Sequence, residues 1–277
     1  MEKLADLHVH TRLSDGTFTP AEAVENAGKV GLSCIAITDH DCVDGIEPAK
    51  KAAKKAGLEI IPGVEMTAQE KGREIHILGY FPDMDDKRFL KRLKVIRQDR
   101  VDRVYAMVKK LEKYDICLDP EMIFELSGPG SVGRMHVAAV LEKEGYVSSI
   151  KEAFSRYIGD KGPCCVAHYE ITAKDAIAEL KRVGAVVVYA HPQLMGGEGL
   201  IPKFIKYGLD GLEAFHSEQS KAVARKYTDI AAENGLLVTG GSDCHGMNKG
   251  RMLMGTVMVP YSIVEGLKKC AMRTRNT

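Results

Sequence analysis

The chain has 277 residues, 39 Lys plus Arg against 38 Asp plus Glu, and 45% hydrophobic residues. That composition excludes an intrinsically disordered chain, and a net charge of +1 argues against a protein that coats nucleic acid or membrane without selectivity. Seven scattered cysteines make no C-x-x-C pair and no even framework, so free thiols in a reducing cytoplasm are expected. No run approaches the ~20 apolar residues of a membrane span, and no leader-like pattern precedes the first strand-like segment.

In chain order, residues 4–9 read as a strand, followed by a polar loop and a helix from about Thr19 with Pro20 in its first turn. A strand at 34–38 and a helix at 45–56, ended by Gly57, come next, and then strands at 58–64 and 74–79. The strand rhythm then stops. Residues 86–114 read as one long helix, with Leu93, Ile96, Val104, Val108 and Leu111 on a 3–4 spacing, and shorter helices are expected around 120–126, 134–142 and 150–157. Alternation then resumes with a helix to Val183, strands at 185–190, 211–215 and 236–239, helices at 201–207 and 218–234, and a closing helix from Tyr261. Strands alternating with helices predict an α/β fold, a mainly parallel sheet with helices outside, and roughly seven strands favour a barrel. The expected organisation is a barrel in two parts, 1–84 and 166–277, interrupted by a helical insertion at 85–165.

His8 and His10 stand two apart in one strand and share a face, and Asp243 and His245 repeat that spacing near the other end of the chain. His40, Glu65 and His191 each end a strand, His76 lies within one, and Asp15 follows the first. Strand C-terminal ends are where parallel barrels place their active sites. Nine nitrogen and oxygen donors are too many for one tetrahedral zinc; they suit a cluster with shared carboxylates. Imidazole with carboxylate fits zinc, manganese or iron, and two metals about 3.5–4 Å apart can activate water and clamp a phosphoryl group. Cys42 and Cys244 flank these motifs, but alternation turns Cys244 away from the donor face.

DLHVHTRLSDG, AITDHD, PGVE, the AHP triplet and GGSDCHG resemble, in order, the motifs of the PHP (polymerase and histidinol phosphatase) family. The resemblance implies a distorted (β/α)7 barrel with a helical insertion domain and two to three divalent metal ions. By it, one metal takes His8, His10, Glu65 and Asp243, a second shares Glu65 and uses His76 and His191, and a third takes Asp15, His40 and His245. The expected mechanism is attack on phosphorus by a hydroxide bridging the metals, the leaving oxygen being stabilised by a third metal or protonated by a neighbouring acid. Asp15 and His216 are the catalytic candidates, and His216, after a barrel strand, could reach a phosphate or donate the proton.

The insertion suggests the substrate. Between Lys87 and Lys113, eleven basic residues face three acidic ones, and Arg97, Arg100 and Arg103 form a guanidinium row suited to phosphate. In SGPGSVGRMH, three glycines allow backbone amides to converge, Ser131 could cap the next helix, and Arg134 and His136 occupy its first turns. His168 reads as structural. This order of motifs resembles a branch of stand-alone phosphoesterases acting on nucleoside 3′,5′-bisphosphates and on the 5′ ends of short RNAs. The expected partner is therefore a small nucleotide phosphate ester or short single-stranded RNA, with no membrane and no protein partner implied. The alternatives are a histidinol-phosphate phosphatase on the same metal core, which gives the arginine row no task, and a non-catalytic nucleic-acid binding module.

Overall fold

Strands β1 (Leu4–Val9), β2 (Cys34–Ile37) and β3 (Glu59–Glu70) pair in parallel, and β3 turns directly into β4 (Arg73–Tyr80). β4 is antiparallel both to β3 and to β5 (Val186–Tyr189), after which β6 (Gly211–His216) and β7 (Leu237–Gly241) resume parallel pairing. A two-residue strand, β8 (Val259–Pro260), lies antiparallel to the start of β1. At the other end of β1, the His10 N–H donates to the Cys244 carbonyl at 3.0 Å, so the chain leaving β7 meets β1 and all but closes the sheet into a barrel. Gly241 permits this approach: a Cβ there would lie 2.4 Å from the His8 Cβ.

The reversed β4 departs from the mainly parallel expectation. Its cause is the two-residue turn at Lys71 and Gly72, both left-handed (φ 52° and 75°), the conformation that closes a tight hairpin. A parallel neighbour would need a crossover of about a dozen residues or more.

This computed structural model describes residues 2–128, 130–159, 161–166, 171–248 and 250–274. Helix α1 (Pro20–Lys29) opens on a capping box in which Thr19 and Glu22 satisfy each other's backbone N–H, and α2 (Ile46–Ala56) ends at left-handed Gly57. Helix α3 (Lys87–Leu111) starts at the foot of the barrel. Its Phe89, Leu93 and Ile96 join the barrel core, whereas Val104, Met107, Val108 and Leu111 join a second core. That second core is completed by α4 (Pro120–Ser127), α5 (Arg134–Lys143), α6 (Ile150–Ala153) and a π turn at Phe154–Ile158, through Ile123, Val137, Leu141 and Ile158. The two cores therefore divide inside α3, because its apolar stripe runs on without a break while the surface it meets changes. Helices α7 (Ala173–Arg182), α8 (Ile201–Tyr207), α9 (Lys221–Glu233) and α10 (Tyr261–Thr274) return to the barrel exterior. No helix among the described residues is long and apolar enough to cross a membrane.

Candidate metal centre

The strand ends deliver their donors to one mouth of the barrel. His8 lies near the end of β1 with His10 just beyond it, His40 follows β2, and Glu65 and His76 face the mouth from the β3–β4 hairpin. His191 follows β5, and Asp243 and His245 follow β7. Asp41, His191 and Asp243 have φ of 50°, 27° and 51°, a left-handed backbone that non-glycine residues rarely adopt and that recurs at functional sites.

Glu65 is the centre of the cluster. Its Oε2 lies 3.2 Å from His8 Nε2, 3.1 Å from His10 Nε2 and 3.3 Å from His40 Nδ1. Its Oε1 lies 3.1 Å from His76 Nδ1 and 3.0 Å from His191 Nε2. Asp243 Oδ1 is 3.5 Å from His8 and 3.3 Å from His10, and Asp15 Oδ1 is 3.2 Å from His245 Nε2. All nine expected donors fall into overlapping groups: His10, Asp15, His40 and His245; His8, His10 and Asp243; His8, Glu65 and His191; His40, Glu65 and His76. His8, His10, His40 and Glu65 each belong to two of these groups, so the donors form one connected cluster.

These donors fit divalent cations on two grounds. Asp15 Oδ1, His40 Nδ1, Glu65 Oε2 and His76 Nδ1 are buried without a properly oriented hydrogen-bond partner, a costly arrangement unless another group satisfies them. The ionisation is also suited to ligation. Burial alone would raise the Glu65 carboxyl, but His8, His40 and His76 hold it well below the usual carboxylate range, and burial keeps His40 and His191 below the ordinary histidine value. Against the effect of burial, the neighbouring carboxylates raise His8, His10 (to about 10) and His76 (to about 9), so a cation bound there would displace their protons. Anionic oxygens and neutral imidazole lone pairs are the forms that bind metal.

Two carboxylates that the sequence reading missed support this shell. Glu213, fully buried in β6, accepts the His8 Nδ1–H at 2.9 Å on one oxygen and the His191 backbone N–H at 2.8 Å on the other. It thereby directs His8 Nε2 towards the cluster and holds the strained His191 backbone. A lone acid within the apolar run GLEAF was the available signal. Glu213→Gln keeps the volume but can present an amide N–H to His8, so metal affinity is expected to fall about 10–100-fold, the usual cost of losing a partner behind a ligating histidine. Competition titration with a metallochromic chelator, alongside a melting curve, checks this; unchanged affinity would contradict it. Glu74, two residues before His76 and on the same strand face, is 3.3 Å from His76 Nε2 and pairs with Arg103 at 3.2 Å and Arg134 at 3.0 Å.

The arginine row is less free than its spacing suggests. Arg97 pairs with Asp44 at 2.9 Å, contacts Cys42 Sγ at 3.1 Å and does not line the cavity beside the donors. Arg100 is buried against Asp41 at 2.7 Å and Thr67 Oγ at 2.6 Å, and Arg103 also donates to the Val166 carbonyl at 2.7 Å. Arg100, Arg103 and Arg134 nevertheless line that cavity together with Asp15, His40, Glu65, His76, His191, Asp243 and His245.

The glycine-rich segment also differs from expectation. The cap of α5 is Gly133, whose N–H donates to His136 Nδ1 at 3.0 Å; Ser131 lies too far upstream, and its N–H goes to the Leu13 carbonyl. Gly130 is needed for packing, since a Cβ would fall 2.0 Å from the Leu13 oxygen. Ser131 and His136 are buried and do not line the cavity. His216 does not line it either; its Nε2 stands 3.4 Å from Asp243 Oδ2. Cys42 and Cys244 are buried and outside the donor groups, and burial pushes the Cys42 thiol up to about 12. His168 lies outside the described residues. A larger cavity, about 630 Å³, lies between α3 and α7 and contains none of the nine donors.

Comparison with known proteins agrees with this geometry. The chain is 32% identical over 252 residues to a 3′,5′-nucleoside bisphosphate phosphatase of Chromobacterium violaceum, covering 88% of each chain. It is 34% identical to a 5′-3′ exoribonuclease of Haemophilus influenzae, over 88% of this chain and 91% of the relative. A phosphoribosyl 1,2-cyclic phosphate 1,2-diphosphodiesterase of Eggerthella lenta is 29% identical over 88% of this chain and 94% of its own. A crystal structure from Bifidobacterium adolescentis, called a metal-dependent phosphoesterase, superposes with a TM-score of 0.89 at 30% identity over 96% of both chains. The profile of the PHP domain matches residues 6–238, and with the donor motifs in order around one barrel mouth, the chain belongs to the PHP domain family.

Proposed function

We propose that this PHP-domain phosphoesterase hydrolyses a phosphate ester of a nucleotide: the 3′-phosphate of nucleoside 3′,5′-bisphosphates, the 5′-end nucleotides of short single-stranded RNA, or both. One observation carries the reading. A single cavity of about 220 Å³ has seven of the metal donors on its wall and Arg100, Arg103 and Arg134 beside them. A substrate with two phosphates matches such a wall, one phosphate at the donors and the other at guanidinium groups. The bisphosphate phosphatase and exoribonuclease relatives act on molecules of this kind by their names.

The nine donors would hold two to three divalent cations, Mn, Fe or Zn, with Glu65 shared. When bound, such ions make a water nucleophilic at neutral pH and neutralise the phosphoryl oxygens. The chain's own residues do the rest. Glu65 and Asp243 supply the negative charge that gathers the cations, and Glu213 fixes the ring of His8. Glu74 holds Arg103 and Arg134 so that their positive charge faces the phosphate that is not cleaved. Asp15 lines the cavity as a donor that, despite its burial, His245 and His40 hold ionised, so proton delivery to the leaving oxygen stays assigned to His216, whose Nε2 stands 3.4 Å from Asp243 Oδ2. The helical segment acts in this reading as a substrate-binding cap on the two barrel parts. All seven cysteines are free, and a cytoplasmic location is part of the proposal.

Chelation to a rigorously metal-free state is expected to abolish phosphate release from adenosine 3′,5′-bisphosphate, and Mn²⁺, Fe²⁺ or Zn²⁺ to restore it. Full activity without metal would refute the mechanism. A strong preference for histidinol phosphate over the bisphosphate would refute the substrate class.

A further inference from the structure

The cavity has a wall that neither the donors nor the arginines explain. Met135 of α5, Phe154, and Leu194 and Met195 from the loop after β5 line it. One exposed apolar side chain is ordinary, but Leu194, 45% exposed, shares the lining of a highly charged cavity with three more apolar side chains. Phe154 opens the π turn, a helical irregularity that recurs at functional positions. The Arg134 guanidinium lies over its ring at 5.6 Å, so a flat aromatic surface and a flat cation adjoin each other beside the phosphate-facing groups.

We propose that this wall is a nucleobase subsite, which receives the base of a nucleotide whose phosphates lie at the donors and the arginines. The inference rests on the nucleotide reading and deepens it. Both the cap and the barrel contribute, so the base completes a contact between the two parts of the molecule. The four side chains offer no strong hydrogen-bonding group, so they recognise the flat apolar face of a ring and not the edge of a particular base. The methionines, unbranched and polarisable, adapt to purine and pyrimidine alike. A baseless sugar phosphate would leave the same groups facing water.

The test compares kcat/KM of the metal-loaded enzyme for adenosine 3′,5′-bisphosphate and for its abasic tetrahydrofuran analogue, which keeps both phosphates. The intact enzyme is expected to favour the nucleotide by about 5- to 150-fold, the range that stacking of one base supports. Leu194→Asn and Phe154→Leu are expected to lose at least about fivefold more on the nucleotide than on the analogue, mainly through KM. Leu194→Asn alters an exposed position and keeps the test valid if the Phe154 variant fails to fold, which melting curves will show. Equal losses on both compounds, or no preference in the intact enzyme, overturn the subsite while nucleotide hydrolysis stands. An enzyme that hydrolyses the analogue but no nucleotide overturns both readings.

Discussion

Glu65→Gln is expected to lower phosphoesterase turnover by about a thousandfold or more, since several kcal/mol of charge stabilisation are at stake and each 1.36 kcal/mol is a factor of ten. The change is nearly isosteric, so its effect is electrostatic. Both Glu65 oxygens are engaged, Oε2 with His8, His10 and His40 and Oε1 with His76 and His191, all at 3.0–3.3 Å. An amide keeps one acceptor, turns an N–H₂ group towards imidazole lone pairs, and removes the negative charge common to two of the four donor groups. Metal analysis of the purified variant should therefore show a substoichiometric content, together with the loss of turnover. A variant that keeps full metal occupancy and turnover within tenfold would show that Glu65 is not the shared ligand.

Arg100→Ala is expected to destabilise the fold by about 3–5 kcal/mol, the cost of removing one partner from a buried ion pair. Asp41 has no exposure, and Arg100 Nε and Nη2 approach the same Asp41 oxygen at 2.9 and 2.7 Å. Arg100 also donates to Thr67 Oγ and to the Val132 carbonyl, so truncation orphans acceptors on the barrel and on the cap together. For a chain of this size the melting temperature should fall by roughly 2–4 °C per kcal/mol. Asp41→Asn in the same background should recover part of the loss by neutralising the stranded carboxylate. A melting temperature within a degree or two of the parent would mean that Arg100 serves substrate binding and not the joint between barrel and cap.

The convergence of the nine candidate donors was legible because metal chemistry restricts both residue type and spacing. His8 with His10 and Asp243 with His245 share strand faces, and the other donors punctuate strand ends. Strand direction was not legible, since a period of two has no polarity. The Lys71–Gly72 turn carried that information, and it reverses β4. The arginine spacing was read correctly as helical, but spacing cannot tell what a side chain faces. Asp44, Asp41 and Glu74 meet the three arginines from segments about 30–60 positions away. Glu213 escaped notice because a single acid in an apolar strand makes no pattern, although its burial gives it few roles besides pairing with a buried cation or N–H.

The shared membership of α3 has a consequence for cooperativity. At 1.5 Å per residue its 25 residues span about 37 Å, with the lower apolar stripe in one core and the upper in the other. No flexible linker separates the units along this path; a continuous hydrogen-bonded rod does. Fraying of α3 from Leu111 downwards would break the pairs made by Arg103, Arg100 and Arg97 in turn before the barrel core is reached. The helix thus couples the helical segment to the barrel through one continuous rod whose ion pairs are spaced along its length.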